Sequence, residues 1–156
     1  MTTWDLGHGV VQLPDGRRVR GIGRLQARGD APEPEVALYL LEADPGTQAW
    51  EHLWIEWPDF SLPVSTPDAV ATLRRIHEVM ASHRVEISCA GGTGRTGTAL
   101  SVLAIMSGVR AEDAVAWVRR HYRPRAVETA EQERWVLRTA TAYLETGPRP
   151  DPPAPR

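Results

Sequence analysis

The chain contains no lysine, no asparagine and a single cysteine, and neither sign of charge dominates it. All 18 basic residues are arginines, a bias that reads as GC-rich codon usage and excludes no chemistry. Against 20 acidic residues they leave a net charge of −2, so no global field favours nucleic acid or an anionic membrane. No apolar run approaches the roughly 18 residues of a membrane span. No charged-then-apolar leader opens the sequence, and the expected location is the cytoplasm. One cysteine excludes an internal disulfide, fits a reducing compartment and leaves Cys89 without a resolving thiol in the chain. His77 and His83 lack a carboxylate or cysteine in ligand spacing, so no metal is expected, and no other cofactor is implied.

What remains is the composition of one globular domain: 156 residues, 42% hydrophobic and 24% charged. That domain is expected over residues 1–146. The proline-rich stretch 147–156 is expected to be a disordered tail. Strands are expected at 10–13 and 17–22, joined by Pro14-Asp15-Gly16, then at 36–41, 50–57 and 85–88. Trp54 and Trp57 read as packing residues. Ser65 or Thr66, followed by Pro67 and Asp68, marks a helix start, with Val70, Leu73, Ile76 and Met80 in helical spacing and an end near His83. Later helices are expected at 97–107, closed by Gly108, at 111–122 with Val115, Val118 and Tyr122 on one face, and at 128–144. In the last of these Val136, Leu137, Ala140 and Leu144 are expected inward. The order implies an α/β fold with a central mixed, largely parallel sheet flanked by helices.

The chemistry concentrates after the fifth strand. Arg95 stands six positions after Cys89, with Ala90, Gly91, Gly92, Thr93 and Gly94 between them and Thr96 behind. A lone cysteine is usually a small buried hydrophobe. The arginine at this spacing, between a strand and a helix start, points instead to a phosphate cradle with a nucleophile at its base. Small residues let backbone N–H groups wrap a tetrahedral oxyanion. The helix N-terminus favours bound anion and thiolate alike, and a guanidinium fork matches two phosphate oxygens. A thiolate attacking phosphorus forms a cysteinyl-phosphate that water later hydrolyses. Two rival phosphate motifs overlap these residues. Gly92-Thr93-Gly94-Arg95-Thr96-Gly97 is formally G-x-G-x-x-G, but a helix follows where a dinucleotide fold needs a second parallel strand. The Walker pattern fails because Thr98, with no lysine, follows Gly97.

A departing oxygen also needs a proton, and Trp57-Pro58-Asp59 precedes the cradle. Together with Cys89-x5-Arg95-Thr96 this triplet resembles the cysteine-dependent protein tyrosine and dual-specificity phosphatase family, in its compact form. The resemblance extends to residues 123–132. It implies Cys89 as nucleophile, Arg95 as phosphate clamp, Asp59 as acid then base, Thr96 as partner of the thiolate, and a glutamine that positions water. Glu128 stands where one branch carries that glutamine, which leaves Gln132 as its substitute. Ser88 replaces the usual histidine before the nucleophile. No counterpart of the larger enzymes' phosphotyrosine-clamping loop is found.

The implied substrate is a phosphorylated protein or a small phosphomonoester, and the absence of lysine in the loop argues against inositol lipids. Arg119, Arg120, Arg123 and Arg125 form a basic stretch that would suit an acidic substrate, though a solvated helix face is the favoured account. A phosphate-binding pseudophosphatase is the alternative of a different class. Sulfur transfer and arsenate reduction leave Asp59 without a task.

Overall fold

The computed structural model describes residues 2–145, and the expected tail lies outside them. Five strands form one sheet: β1 (Val10–Gln12), β2 (Arg18–Gly23), β3 (Val36–Leu41), β4 (Glu51–Glu56) and β5 (Val85–Cys89), in the order β1-β2-β5-β3-β4. β1 and β2 pair antiparallel and every other pair is parallel. β3 and β5 are buried at every residue, which explains why they read as short apolar runs without alternation.

One face of the sheet carries α1 (Thr66–Val79), α2 (Gly94–Met106), α3 (Ala114–His121) and α4 (Ala130–Thr139) around the main core. The other face is covered by loops and aromatics. Tyr39 packs there with Trp50 and Trp54, and Trp4 lies under the Arg20 guanidinium at 4.0 Å. Glu86, 1% exposed, answers two cations on that face, Arg20 and Arg28. Removing either arginine would leave a buried carboxylate short of partners.

Several element ends differ from the sequence expectation. Ser65 caps α1 and accepts from the Asp68 amide at 3.3 Å, but the helix stops at Val79, short of His83. Met80 is fully buried there, and bonds from Ala81 and Ser82 back to Glu78 and Val79 tighten the last turn. α2 begins at Gly94, three residues before the expected Gly97, so Arg95 and Thr96 belong to its first turn. The expected helix at 111–122 divides into a short 3₁₀ turn and α3.

Thr129 caps α4 and forms a capping box with Gln132, and a π-type turn over Ala140–Leu144 follows the helix. Trp135 and Val136 face inward at 2% and 0% exposure, whereas Leu137, expected inward, is 46% exposed. Trp135 supplies the larger apolar surface, and its ring meets Trp57 at 5.5 Å, which sets the rotation of the helix. His77, on α1, binds both Asp15 of the β1–β2 turn at 3.1 Å and Ser107 after α2 at 2.9 Å. The structure uses it as a joint between three elements.

Candidate active site

The site lies at the C-terminal ends of the parallel strands, where an open α/β sheet leaves room for a ligand. Cys89 ends β5 and is 2% exposed. Its Sγ accepts from the Gly92 amide at 3.2 Å and from the Thr96 hydroxyl at 3.1 Å. Two donors thus converge on one sulfur. The loop curls tightly enough to do this because Gly92 sits at φ +73°, against β2; a Cβ there would lie 2.5 Å from the Gly23 amide nitrogen. Ala90 and Gly91 are exposed at the mouth of the loop. Among the described residues no side chain caps the α2 N-terminus, and no acidic residue stands in its first turn. That end of the helix therefore suits an anion.

Arg95 is 3% exposed and joins the two halves of the site. Its Nη1 donates to the Trp57 carbonyl at 3.0 Å, and its Nη2 lies 3.3 Å from Asp59 Oδ1. Its Nε is buried and has no partner among the described residues. A buried guanidinium N–H without an acceptor is costly, and a phosphate oxygen is the acceptor that this chemistry invites.

The loop carrying Asp59 is pinned from below. Trp57 is fully buried, and its indole N–H donates to the Ser61 carbonyl at 2.8 Å. Asp59 is half exposed, and its Oδ1 also accepts from the Phe60 amide at 3.0 Å. Phe60 adopts φ 54° and is 60% exposed, a strained backbone beside an apolar ring held in solvent.

Of the residues singled out in the sequence, Cys89, Arg95, Asp59 and Thr96 come together around the loop of residues 90–94. Gln132 lies beneath this group. It is fully buried, its Oε1 accepts from the Glu128 and Thr129 amides at 2.9 and 3.2 Å, and its Nε2 donates to the Ser61 carbonyl at 3.1 Å. Through these bonds it ties α4 to the Asp59 loop. Glu128 is exposed and lies over Gly94, where a Cβ would come within 2.2 Å of its Oε1. Trp54 packs on the far face of the sheet and donates to the Leu41 carbonyl at 2.9 Å.

The basic stretch is partly spent inside the protein. Arg119 donates to the Ala126 and Val127 carbonyls at 2.8 Å each and pairs with Glu133, and Arg123 reaches the Gly91 carbonyl at 2.8 Å. Sequence reasoning missed a donor beside Arg123: the Tyr122 hydroxyl, 2.5 Å from the Gly92 carbonyl. Its one trace in the sequence is Gly21, a strand glycine of the kind that marks a close approach. Among the described residues, no group of three or more His, Cys, Asp or Glu could hold a metal ion, and no helix is long and apolar enough to cross a membrane.

Comparison with known proteins places this geometry. The protein-tyrosine phosphatase family model matches residues 35–142. An uncharacterized protein of Methanocaldococcus jannaschii is 37% identical over 123 residues, covering 67% of this chain and 76% of that one. Human receptor-type tyrosine-protein phosphatase epsilon is 27% identical over 97 residues, 57% of this chain and 14% of that one. Among solved structures, Tk-PTP in its active form superposes with a TM-score of 0.65 at 29% identity, covering 85% of this chain and 96% of that one. The human tyrosine phosphatase-like serine/threonine/tyrosine-interacting protein shares the fold, with a TM-score of 0.58 at 17% identity over 70% of this chain and 78% of that one. With its loop, sheet and helices in this arrangement, the chain belongs to the protein-tyrosine phosphatase family and is a phosphatase-like phosphoric monoester hydrolase.

Proposed function

We propose that the protein hydrolyses phosphomonoesters through a cysteinyl-phosphate, with phosphotyrosine in proteins as its substrate. The observation that carries the reading is the position of Arg95. One buried guanidinium, six positions after Cys89 and in the first turn of α2, touches the loop that carries Asp59, and its Nε has no partner among the described residues.

In the first step the Cys89 thiolate attacks phosphorus while the backbone N–H groups of residues 90–94 and the Arg95 fork hold the equatorial oxygens. The P–O ester bond breaks, and Asp59 in its acid form passes its proton to the leaving oxygen. In the second step the Asp59 carboxylate takes a proton from water as that water attacks phosphorus. The P–S bond breaks, and the returning thiolate is received by the Thr96 hydroxyl and the Gly92 amide. Glu128 lies over Gly94, at the first turn of α2. Gln132 acts at one remove, by holding Ser61 and so the Asp59 loop.

The test is release of inorganic phosphate from p-nitrophenyl phosphate and from a phosphotyrosine peptide. Cys89→Ser is expected to abolish it. Asp59→Asn is expected to slow it by about 10² to 10⁴, the contribution of a positioned general acid. A wild-type protein that binds phosphopeptide and releases no phosphate makes this chain a pseudophosphatase instead.

A further inference from the structure

The catalytic loop is rich in glycine, and glycine peptides turn easily. Gly91 and Gly92 carry no Cβ, and Gly92 already lies in the left-handed region at φ +73°. A cradle made of backbone N–H groups works only if those groups stay aimed inward. The loop therefore needs something to stop its peptide planes from rotating.

We propose that Tyr122 and Arg123, at the end of α3, are positioning residues that brace the loop from outside and hold its N–H groups on the phosphate and on Cys89. This inference rests on the catalytic reading above. Its physical basis is the planarity of the peptide: in a trans unit the C=O and the following N–H point in opposite directions, so fixing one fixes the other. The described residues contain no cis peptide.

The Gly91–Gly92 unit shows both ends of this lever. Its carbonyl accepts from Arg123 Nη1 at 2.8 Å, and its N–H, on Gly92, donates to Cys89 Sγ at 3.2 Å. The next unit, Gly92–Thr93, has its carbonyl held by the Tyr122 hydroxyl at 2.5 Å, which fixes the Thr93 N–H on the side away from Tyr122. Arg123 Nη1 also lies 3.1 Å from Thr93 Oγ1, and its Nη2 donates to Gln26 Oε1 at 2.8 Å. Gln26 Oε1 in turn accepts from the Gly23 amide at 3.3 Å, so the brace is anchored at the end of β2.

The rest of the fold makes room for this contact. A Cβ on Gly21 would lie 2.5 Å from Tyr122 Cζ and from its hydroxyl oxygen, so the bare strand at Gly21 lets the ring pass to the loop. A Cβ on Gly23 would lie 2.9 Å from the Gly91 carbonyl oxygen. The two strand glycines thus open space for the Tyr122 ring and for the loop itself. Burial pushes the Tyr122 phenol upward, against a smaller opposing influence of Arg123, so its hydroxyl remains a donor throughout the working range.

The experiment compares wild type, Tyr122→Phe and Gly21→Ala by orthovanadate affinity, by the rate at which iodoacetamide alkylates Cys89, by kcat and KM on p-nitrophenyl phosphate, and by Tm. Tyr122→Phe removes one hydroxyl and keeps the ring. Gly21→Ala displaces the same ring from the side of β2, its nearest neighbours all being atoms of that ring. Both are expected to weaken vanadate binding about three- to tenfold, the worth of one net hydrogen bond. Both are also expected to slow alkylation and to lower kcat more than they raise KM. Arg123→Lys, with one donor group in place of a fork, is expected to fall between wild type and Arg123→Met. A lowered Tm with vanadate affinity and alkylation within twofold of wild type in both Tyr122→Phe and Gly21→Ala overturns the brace. A wild type without turnover overturns the catalytic reading alone, since vanadate affinity and alkylation decide the brace without it.

Discussion

Arg95→Lys keeps the positive charge and removes the fork, and the structure sets the size of its effect. The Nη1 bond to the Trp57 carbonyl is buried and made by a charged donor, a class worth about 1.5–3 kcal/mol. The Nη2 contact to Asp59 spans 3.3 Å to a carboxylate that is 45% exposed, so it counts as a surface pair of at most about 1 kcal/mol. A lysine reaches one of these acceptors at most and cannot meet two phosphate oxygens in a plane. The loss is then about 2–4 kcal/mol, or roughly a thirtyfold to thousandfold drop in kcat/KM. The assay is initial-rate hydrolysis of p-nitrophenyl phosphate by folded variant and wild type at matched Tm. A drop of less than about threefold would mean that neither the fork nor its grip on the Asp59 loop matters, and the account of Arg95 would fail.

Other perturbations test separate parts of the account. Thr96→Val keeps the shape of a fully buried residue and removes a donor to Cys89 Sγ at 3.1 Å; breakdown of the phosphoenzyme is expected to slow about ten- to hundredfold, read as a pre-steady-state burst of nitrophenol. Gly97→Ala places a Cβ 2.7 Å from Ala126 Cβ and 2.8 Å from the Val127 amide nitrogen, and Val127, held at φ 64°, has little freedom to yield. A loss of about 1–3 kcal/mol in urea unfolding is expected, and a change within 0.5 kcal/mol would show that α2 and that turn pack more loosely than drawn. Acid should weaken the fold in two stages. Burial, aided by Arg17, holds His77 below its ordinary 6.5, so the unfolded chain takes the proton first and stability falls as pH drops below about 6.5 toward the folded value. For Asp15, burial is outweighed by bonds from the Arg17 amide, Ser107 and His77 and by the Arg17 charge; its carboxyl lies below 3.8, and a second loss follows as pH falls through that lower value. Tm measured from about pH 7.5 to about pH 3 checks both, and in His77→Gln the first stage should vanish.

The cradle was legible because its information is local. Cys89, Arg95 and Thr96 are fixed by spacing along one strand, one turn and one helix start. Asp59 comes from a distant strand end, and the sequence linked it to the loop through a family resemblance. Parallel strands β3 and β5 were plain as uninterrupted apolar runs, since both their faces are buried. What the sequence hid depends on tertiary packing. Pattern alone placed Leu137 inward, and the meeting of Trp135 with Trp57 rotated α4 away from that choice. α2 starts early because the loop runs into its first turn without a side-chain cap. Gln132 read as a water-positioning group from the resemblance alone, and its contacts as a cap and a tie to Ser61 exist only once α4 is seated against the Asp59 loop. Tyr122 read as one apolar residue of a helix face, and its hydroxyl acquires a task only where β2 offers a bare glycine for its ring to cross.

The central claim is that Cys89 carries the phosphoryl group between two half-reactions. Rapid acid quench of the protein turning over an aryl phosphate, followed by mass spectrometry of the peptide containing Cys89, tests it directly. The account predicts one added phosphoryl group on Cys89 in wild type, more of it in Thr96→Val, and none in Cys89→Ser. Phosphate release by wild type with Cys89 unmodified at every quench time, or turnover that survives Cys89→Ser, would contradict it.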